Sequence, residues 1–545
     1  MTDIGQSLLP GGRTGHVDTF ARDHLPAAEL WPLMDFGVLP ELHYPDRLNC
    51  AAAFLDRHVQ AGDGERIALR CDDGDWSYRR LFETSNRIAH VLIDDLGVQP
   101  GHRVLLRGPN NAMMAACWFA VLKAGGICVT TMPLLRSREL AVICAKAEVA
   151  LALTDARLED ELARAAAVSP HLRRIVGFDA LHEMLQTKPA AFQNADTAAD
   201  DVAIIAFTSG TTGVPKGTVH FHRDILAICD CFPPYVLQPE RDDVFCGSPP
   251  LAFTFGLGGL LLFPLHIGAC AALLEEAAPA KLLQAIERQR VTICFTAPTA
   301  YRAMASQVQS FDLSSLRKCV SAGEPLPRAT FELWERLTGI RIIDGIGSTE
   351  MLHIFISACE GEIRPGSTGR TVAGYEARVV DEDGHELPRG TVGRLAVRGP
   401  TGCRYLDDDE RQRAYVQHGW NLTGDAYLMD EVGYFWYQAR TDDLIISAGY
   451  NIAGPEIENV LLEHPCVAEC GVVGLPDEER GQVVTAFVVL RGGFSADDAT
   501  AAELQDHVKR TIAAYKYPRR IRFVDRLPRT QTGKLQRFRL RELDV

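Results

Sequence analysis

Between residues 66 and 178, runs of apolar positions typical of strands alternate with longer apolar stretches typical of helices. Residues 103–107 form a strand-like run, residues 111–123 have the composition of a buried helix that ends before Gly125 and Gly126, and residues 127–131 form the next strand-like run. Strands and helices that alternate in this way predict a parallel sheet with helical crossovers. A polar, alanine-rich connector, residues 188–201, leads to another apolar run at residues 202–207.

The pattern changes after Arg440. Residues 456–463 and 504–514 have helical patterns, whereas residues 483–490 and 521–524 resemble strands. This order predicts a compact α+β unit of about a hundred residues.

Glycine-punctuated strands around residues 393–397 indicate a smaller β-rich subdomain, and residues 407–410 are charged enough to form a solvated loop. We therefore predict an α/β protein. Its large N-terminal domain, residues 1–440, would contain stacked mixed and parallel sheets with helices and the β-rich subdomain. A small α+β C-terminal domain, residues 441–545, would follow a hinge at residues 440–443.

Composition restricts the functional class. A chain of 545 residues exceeds the size of a single core, and 47% hydrophobic with 23% charged residues is typical of a globular protein. The net charge of −15 argues against general nucleic-acid binding. Fifteen scattered cysteines without zinc-finger spacing favour a reduced, cytoplasmic enzyme.

No secretory signal opens the sequence, and the apolar stretch at residues 257–274 is interrupted by Pro264, His266 and glycines. This interruption favours buried helix and sheet over a membrane span. We therefore expect no membrane partner.

The segment that follows the run 202–207 reads TSGTTGVPKG, residues 208–217. Small residues let backbone N–H groups converge on an anion, and Lys216 adds a positive charge, so the segment predicts a polyphosphate site. Its hydroxyl donors are Thr208, Ser209, Thr211 and Thr212. Only two residues separate Gly210 from Gly213, unlike a Walker A loop. A polar turn after a core strand is the alternative.

The segment resembles the nucleotide-phosphate loop of the adenylate-forming superfamily, which includes acyl-CoA and aryl-CoA synthetases, peptide-synthetase adenylation domains and luciferases. Four more of its motifs follow in the family's order: DGIGSTE at 344–350, TGD at 423–425, RTDD at 440–443 leading into SAGYNI at 447–452, and PRTQTGK at 528–534. The resemblance implies that ATP, assisted by Mg²⁺, adenylates a carboxylic acid, whose acyl group then passes to coenzyme A.

The resemblance also implies residue roles. Lys534 would bridge the carboxylate and the α-phosphate, and Thr349 and Glu350 would lie near the Mg²⁺, with Glu350 as the metal ligand. The remaining ATP and AMP contacts would be Thr208, Ser209, Gly210, Thr211, Thr212 and Lys216 at the phosphates, Gly323, Glu324 and Pro325 along the adenine, Asp425 and Arg440 at the ribose, and Asp344, Gly345 and Ile346 elsewhere on the nucleotide.

From the residues alone, other interpretations remain. Glu350 could be an N-cap or a surface carboxylate, and Asp425 could belong to a β-turn. Lys534 lies among twelve Lys or Arg residues between positions 509 and 541, most of which would form a solvated face or contact CoA phosphates.

The motif at residues 440–443 matches the family's hinge, with Asp442 at the pivot. After adenylation the small domain would rotate and present Gly449 and Tyr450 to the pantetheine thiol of CoA. A glycine lacks Cβ and lets the backbone approach a narrow tunnel. A simple loop turn at Ala448 and Gly449 is the alternative.

Two segments resemble particular aryl-CoA ligases. Residues 253–259 and 344–355 are similar to benzoate-CoA ligases, and residues 402–454 are most similar to 2-aminobenzoate-CoA ligases. The implied pocket residues are Thr254, Phe255, Ala322, Gly347, His353 and Ile354. Benzoate ligases tend to have alanine and tyrosine where this chain has Thr254 and Phe255, and the threonine hydroxyl could accept a hydrogen bond from a ring amine. Without the family, Phe255 would be core packing and His353 a satisfied buried histidine.

We therefore predict an aryl-CoA ligase for 2-aminobenzoate, acting as a monomer or homodimer on a small aromatic acid, ATP and CoA. The alternatives are a benzoate- or hydroxybenzoate-CoA ligase and a carrier-protein-directed aryl adenylation enzyme. A nucleotide-binding regulator without catalysis would have lost Lys534 or Glu350, and both are present.

Overall fold

The computed structural model describes residues 14–209, 215–440, 443, 445–447, 450–477, 480–512, 516–529 and 534–543. Within these residues the strands, numbered in chain order, are β1 (Ile67–Cys71), β2 (Gly74–Ser77), β3 (Arg103–Arg107), β4 (Ile127–Thr131), β5 (Leu151–Thr154), β6 (Arg174–Gly177), β7 (Val202–Ser209), β8 (Pro215–Phe221), β9 (Val244–Gly247), β10 (Cys270–Ala272), β11 (Ile293–Thr296), β12 (Lys318–Ser321), β13 (Ile342–Gly347), β14 (Ile354–Ser357), β15 (Arg370–Thr371), β16 (Glu376–Val380), β17 (Val392–Arg398), β18 (Val416–Gln417), β19 (Trp420–Met429), β20 (Phe435–Arg440), β21 (Ile445–Ser447), β22 (Tyr450–Ile452), β23 (Val467–Asp477), β24 (Gly481–Leu490) and β25 (Arg520–Phe523).

The helices within the same residues are α1 (Phe20–Asp23), α2 (Arg57–Gln60), α3 (Tyr78–His90), α4 (Ala112–Lys123), α5 (Ser137–Lys146), α6 (Glu159–Ala166), α7 (Phe178–Leu185), α8 (His222–Phe232), α9 (Thr254–Leu257), α10 (Phe263–Ile267), α11 (Pro279–Gln289), α12 (Pro298–Ala305), α13 (Arg328–Thr338), α14 (Asp409–Tyr415), α15 (Gly454–Glu463), α16 (Asp498–Thr511) and α17 (Arg537–Glu542). A wider helical turn, Gly258–Leu262, joins α9 to α10.

A six-stranded sheet with the order β6-β5-β3-β4-β7-β8 carries the phosphate segment at one edge. Its strands run parallel except β8, which pairs antiparallel with β7. The predicted strands at 103–107 and 127–131 are β3 and β4, and the predicted apolar helix is α4, so the parallel sheet with helical crossovers is confirmed. The helix α4 is buried on nearly every face, which explains its lack of a polar stripe.

A nine-stranded sheet with the order β15-β14-β13-β12-β11-β9-β10-β1-β2 forms the second layer. Its central strands are parallel, while β2, β14 and β15 pair antiparallel at the ends. The apolar stretch at residues 257–274 is buried in α10, β10 and the turn before them, as the interrupted pattern predicts. Within the described residues no helix is long and apolar enough to cross a membrane.

Two smaller sheets complete the molecule. An antiparallel sheet of β16, β17, β18, β19 and β20 is the predicted β-rich subdomain, and a sheet of β21 to β25 with α15, α16 and α17 forms the C-terminal α+β unit. This unit has its own apolar clusters, in which Ile457, Val488 and Leu504 are fully buried. The architecture is the expected mixed α/β fold with a large N-terminal part and a small C-terminal part.

The charged segment 407–410 is not only a solvated loop. The Asp408 side chain accepts a hydrogen bond from the Arg411 N–H and caps the N-terminus of α14, and Lys146 lies 3.6 Å from Asp408. The acidic residues stand in the first turn of the helix, where the helix dipole favours negative charge.

Candidate active site

The phosphate segment is a β-hairpin whose strands are β7 and β8. Thr208 pairs with Lys216 across the hairpin, and Ser209 ends β7. The tip, including Gly210, Thr211 and Thr212, lies outside the described residues. The hairpin differs from the predicted loop because strand pairing continues to Ser209 and Pro215, which fixes Lys216 on an edge strand.

Lys216 makes an ion pair with Glu350. Its Nζ lies 2.6 Å from Glu350 Oε1 and donates a second hydrogen bond, 2.8 Å long, to the hydroxyl of Tyr405. The Tyr405 hydroxyl donates in turn to Glu350 Oε1 at 2.6 Å. Three residues from distant parts of the chain thus share one closed set of hydrogen bonds.

Glu350 is held in a tight turn after β13. His220 Nε2 donates to the Thr349 carbonyl at 2.7 Å, and the Ser348 hydroxyl accepts from the Met351 N–H at 3.2 Å. Burial would raise the pKa of the Glu350 carboxyl, but the Lys216 ammonium and the bonds from Lys216 and Tyr405 outweigh it and lower that pKa. Glu350 is therefore an ionised carboxylate beside the phosphate hairpin.

The predicted ribose contacts, Asp425 and Arg440, are partners across β19 and β20. Arg440 Nη1 lies 3.1 Å from Asp425 Oδ1, and the Thr423 hydroxyl accepts from the Asp425 N–H at 3.2 Å. Burial raises the pKa of the Asp425 carboxyl, and Arg440 opposes that rise.

Lys534 reaches this cleft from the C-terminal unit. A Cβ on Gly323 would lie 3.9 Å from Lys534 Cε. The side chain keeps solvent access, yet protein atoms of both units surround it. This crowding lowers the pKa of Lys534, while the nearby carboxylates of Glu324 and Asp425 oppose the shift. Arg529, also from the C-terminal unit, lies 3.8 Å from Glu324 Oε1.

The predicted adenine wall follows β12, and the other predicted nucleotide contacts, Asp344, Gly345 and Ile346, lie within the neighbouring strand β13. Gly323 and Pro325 are exposed, and Glu324 is half-buried with its pKa raised by burial. Asp344 pairs with Ser321 in neighbouring parallel strands, and burial raises the pKa of Asp344 to about 7. The Asp344 Oδ1 atom is buried without a hydrogen-bond partner. Gly345 and Ile346 continue β13 toward Glu350.

The predicted acid pocket is aromatic. His353 is 2% exposed, and its ring centroid lies 4.5 Å from that of Phe263, 5.5 Å from that of Phe232 and 5.9 Å from that of Phe255. Neither ring nitrogen makes a hydrogen bond of good geometry, although the Phe255 backbone lies near enough to oppose the fall in the pKa of the ring. Burial lowers the pKa of His353 to about 3, so the ring is neutral at pH 7.

Two glycines permit this packing. A Cβ on Gly258 would lie 2.4 Å from His353 Cδ2, and a Cβ on Gly259 would lie 2.5 Å from Phe295 Cδ1. Only glycine lets the helical segment approach both rings this closely. Thr254, half-buried, begins α9 beside Phe255, while Ala322 and Ile354 are buried and Gly347 pairs with Ile354.

Of the predicted hinge and CoA residues, Asp442 and Gly449 lie outside the described residues, and Tyr450 begins β22. The sequence reading missed Tyr405. It also missed the buried ion pair between Arg404 and Asp224, whose atoms lie 2.9 Å apart. Both residues stand in unremarkable local sequence, and Tyr405 is separated from Lys216 by 189 positions, so no local pattern could join them.

Comparison with known proteins identifies the family to which the chain belongs. Residues 55–404 match the family model described as AMP-binding enzyme, and residues 456–534 match that of the AMP-binding enzyme C-terminal domain. A benzoate–CoA ligase of Thauera aromatica is 35% identical over 512 residues, which cover 92% of this chain and 97% of that protein.

Two crystal structures are also similar. The anthranilate CoA ligase AuaEII in complex with anthranoyl-AMP has a TM-score of 0.89 at 34% identity, and the match covers 93% of this chain and 99% of that one. A benzoate CoA ligase from Burkholderia xenovorans LB400 has a TM-score of 0.84 at 33% identity, covering 91% of this chain and 100% of that one.

The chain therefore belongs to the AMP-binding enzyme family, whose two domain models together account for both structural units. Within that family it is an AMP-forming acid–CoA ligase, which uses ATP to adenylate a carboxylate and then transfers the acyl or aryl group to CoA.

Proposed function

We propose that the acid is 2-aminobenzoate and that the product is its CoA thioester. The observation that carries this proposal is the neutral His353 ring, which is buried among phenylalanines and whose nitrogens make no hydrogen bond of good geometry. A buried polar group without a partner costs free energy, and a ligand that supplies the partner recovers it. An arylamine offers N–H donors to an acceptor nitrogen, whereas plain benzoate offers none.

Thr254 adds a second polar group at the start of α9, beside the Phe255 ring. Its hydroxyl accepts or donates, so it suits an amine on the substrate ring. The similarity to the anthranilate CoA ligase AuaEII supports this choice, and the similarity to two benzoate-CoA ligases keeps benzoate or a hydroxybenzoate as the second candidate.

A substrate panel tests the acid. ATP-to-PPi exchange and thioester formation would be measured with 2-aminobenzoate, benzoate, hydroxybenzoates and short and medium fatty acids. We expect 2-aminobenzoate to have the highest kcat/KM, with benzoate detectable but poorer, because one small group in a pocket is worth about 1–3 kcal/mol. A kcat/KM for benzoate or an aliphatic acid about tenfold higher than that for 2-aminobenzoate would overturn this assignment and leave the ligase activity intact. Thioester formed only on a carrier protein would favour the carrier-directed alternative.

For the nucleotide, we propose that the 208–217 hairpin binds the β- and γ-phosphates through Lys216, that Asp425 and Arg440 bind the ribose, and that the buried Asp344 Oδ1 accepts from the adenine amino group. Mg²⁺ prefers oxygen ligands and bridging phosphates, and the ionised Glu350 beside Thr349 and Lys216 fits such a site. When bound, the ion neutralises phosphate charge. Glu350 would supply the carboxylate ligand to the ion.

For the chemical steps, we propose that Lys534 stabilises the charge that develops between the carboxylate and the α-phosphate during adenylation. Its position beside Gly323, in a cleft with Glu324 and Asp425, supports this role. Rotation at Asp442 would then withdraw Lys534 and bring Gly449 and Tyr450 to the CoA thiol. A bulky residue at Gly449 should therefore reduce thioester output while PPi release persists. Loss of both would contradict the rotation.

The free-thiol state of all fifteen cysteines supports the predicted cytoplasmic location.

A further inference from the structure

We propose that Tyr405 is a positioning residue of the nucleotide site, whose hydroxyl keeps Lys216 and Glu350 paired until ATP arrives together with its metal ion. The hydroxyl accepts from Lys216 Nζ at 2.8 Å and donates to Glu350 Oε1 at 2.6 Å. Within the part of the chain that the structure describes, it is the one side chain that hydrogen-bonds to both members of the 2.6 Å ion pair. The Lys216 ammonium also lies 5.0 Å from the centre of the Tyr405 ring.

The backbone around Tyr405 is fixed to the phosphate hairpin itself. The Val219 N–H donates to the Arg404 carbonyl at 2.8 Å, and the Leu406 N–H donates to the Gly217 carbonyl at 2.9 Å. The Tyr405 N–H donates to Gln412 Oε1 at 2.9 Å. Tyr405 therefore moves with the strand that carries Lys216, and its hydroxyl has little freedom.

A buried ion pair between Arg404 and Asp224 restrains the same segment, residues 404–406. Arg404 Nη1 lies 2.9 Å from Asp224 Oδ2, both side chains are fully buried, and the guanidinium lies 4.1 Å from the centre of the Phe221 ring. Asp224 Oδ2 also accepts from the Phe221 N–H at 3.0 Å. A buried charge pair is costly to break, so it restrains residues 404–406 against the end of β8.

The pairing has a consequence for ligand binding. Metal-free ATP can use Lys216 only by taking it from Glu350, which leaves a buried carboxylate without its counter-charge. ATP that carries Mg²⁺ supplies a cation for Glu350 as it takes Lys216. Tyr405 keeps its bond to Glu350 in both states and orients the carboxylate toward the ion. This inference rests on the proposed metal role of Glu350.

Nucleotide affinity without any acid present tests the role of the hydroxyl. Dissociation constants would be measured by calorimetry for ATP with Mg²⁺ and for ATP with EDTA, in the wild type and in Tyr405→Phe. The matched control is Tyr301→Phe, which removes a buried hydroxyl bonded at 2.8 and 3.2 Å to the carbonyls of Cys294 and Val320. We expect Tyr405→Phe to weaken Mg²⁺-ATP binding about tenfold and Tyr301→Phe to leave it unchanged. Equal affinities in wild type and Tyr405→Phe would overturn the proposal.

Glu350→Gln distinguishes two functions of Glu350, the ion pair that restrains Lys216 and the proposed binding of the metal ion. This variant frees Lys216, so ATP in EDTA should bind more tightly than to the wild type, and added Mg²⁺ should no longer improve binding. If Mg²⁺ still improves binding as in the wild type, Glu350 is not a metal ligand and the proposed function fails at that point. If affinity in EDTA does not rise, the pairing does not restrain Lys216 and the present inference fails instead.

Discussion

Asp425 and Arg440 face each other across the antiparallel strands β19 and β20, with Arg440 Nη1 3.1 Å from Asp425 Oδ1. Arg440 is also the last residue of β20 and the first residue of the predicted hinge at residues 440–443. One arginine thus connects the proposed ribose site to the linker between the two structural units. A bound nucleotide that contacts both side chains would restrain β20, the strand that leads into the C-terminal unit.

Asp425→Asn should weaken ATP binding. The amide keeps the shape but removes the charge that accepts from ribose hydroxyls and pairs with Arg440, and hydrogen bonds to charged groups are worth about 1.5–3 kcal/mol. We expect the KM for ATP to rise by about 10- to 100-fold in ATP-to-PPi exchange. The KM of the wild type for 2′-deoxy-ATP or 3′-deoxy-ATP should exceed its KM for ATP by a similar factor. If the variant still discriminates these analogues as the wild type does, Asp425 does not contact the ribose.

Lys534→Ala should impair adenylation selectively. Loss of one preorganised electrostatic group costs about 10²–10³ in rate, and Lys534 is the cation that the C-terminal unit brings to Gly323. Acid-dependent PPi release should fall by that factor, while thioester formation from preformed aryl-adenylate and CoA should persist.

Lys509→Ala is the matched control, because Lys509 is a lysine of the same unit that pairs with Asp506 at 3.0 Å on α16. It should leave acid-dependent PPi release unchanged. An equal loss of both half-reactions in Lys534→Ala would contradict a role restricted to adenylation.

Lys534 should also give adenylation an alkaline limit. Crowding in the cleft lowers the pKa of its ammonium, and only the cation stabilises developing negative charge. As the pH rises through this lowered pKa the cation is lost, so kcat/KM for PPi release should decline at a pH below the ordinary lysine value of about 10.4. Lys534→Arg stays charged at every accessible pH. A decline at the same pH in Lys534→Arg would assign the limit to another group.

Local patterns predicted the elements around the site. The apolar runs at residues 103–107 and 127–131 are β3 and β4 because fully buried parallel strands leave no polar alternation. Charge alone predicted a solvated loop at residues 407–410. It could not predict that Asp408 caps the N-terminus of α14, because that role depends on where the helix begins. That Lys216, Glu350 and Lys534 belong to one site could be predicted only from the family resemblance of the motifs that contain them.

Long-range geometry could not be predicted. The Tyr405 hydroxyl meets Glu350 across 55 positions and Lys216 across 189, and both contacts depend on how β8 and the turn after β13 are placed. The burial of the His353 ring likewise depends on Gly258, whose missing side chain lets a separate helical segment cover the ring. Neither relationship has a signature in sequence spacing.

Acid should destabilise the protein through buried histidines. Burial lowers the pKa of His222 and of His353 to about 3, whereas the unfolded value is about 6.5. Below pH 6.5 these histidines therefore bind protons in the unfolded chain but not in the folded one, so the free energy of unfolding decreases as the pH falls. Each group should cost about 2 kcal/mol at pH 5. The thermal unfolding temperature should drop between pH 7 and pH 5.

His222→Gln removes one such group, so its unfolding temperature should drop less over the same interval. His222 is chosen because it is not among the predicted site residues; its Nδ1 lies 3.1 Å from Cys50 Sγ, and its Nε2 is buried without a hydrogen-bond partner. An equal drop in wild type and variant would assign the acid sensitivity to carboxylates instead.

Thr254→Ala should narrow the preference for 2-aminobenzoate over benzoate. The substitution removes the hydroxyl at the start of α9 that we propose meets the ring amine, and it leaves Phe255, Phe263 and His353 in place. Because one hydrogen bond is worth about 0.5–1.5 kcal/mol, the ratio of the two kcat/KM values should fall by about two- to tenfold. The absolute rate with benzoate should change little, since the ring still packs against the same aromatic walls. Thr254→Ser is the control, because it retains the hydroxyl and should retain the ratio. A ratio that stays unchanged in Thr254→Ala, or that falls equally in Thr254→Ser, would remove Thr254 from the recognition of the amine and leave His353 as the group to test.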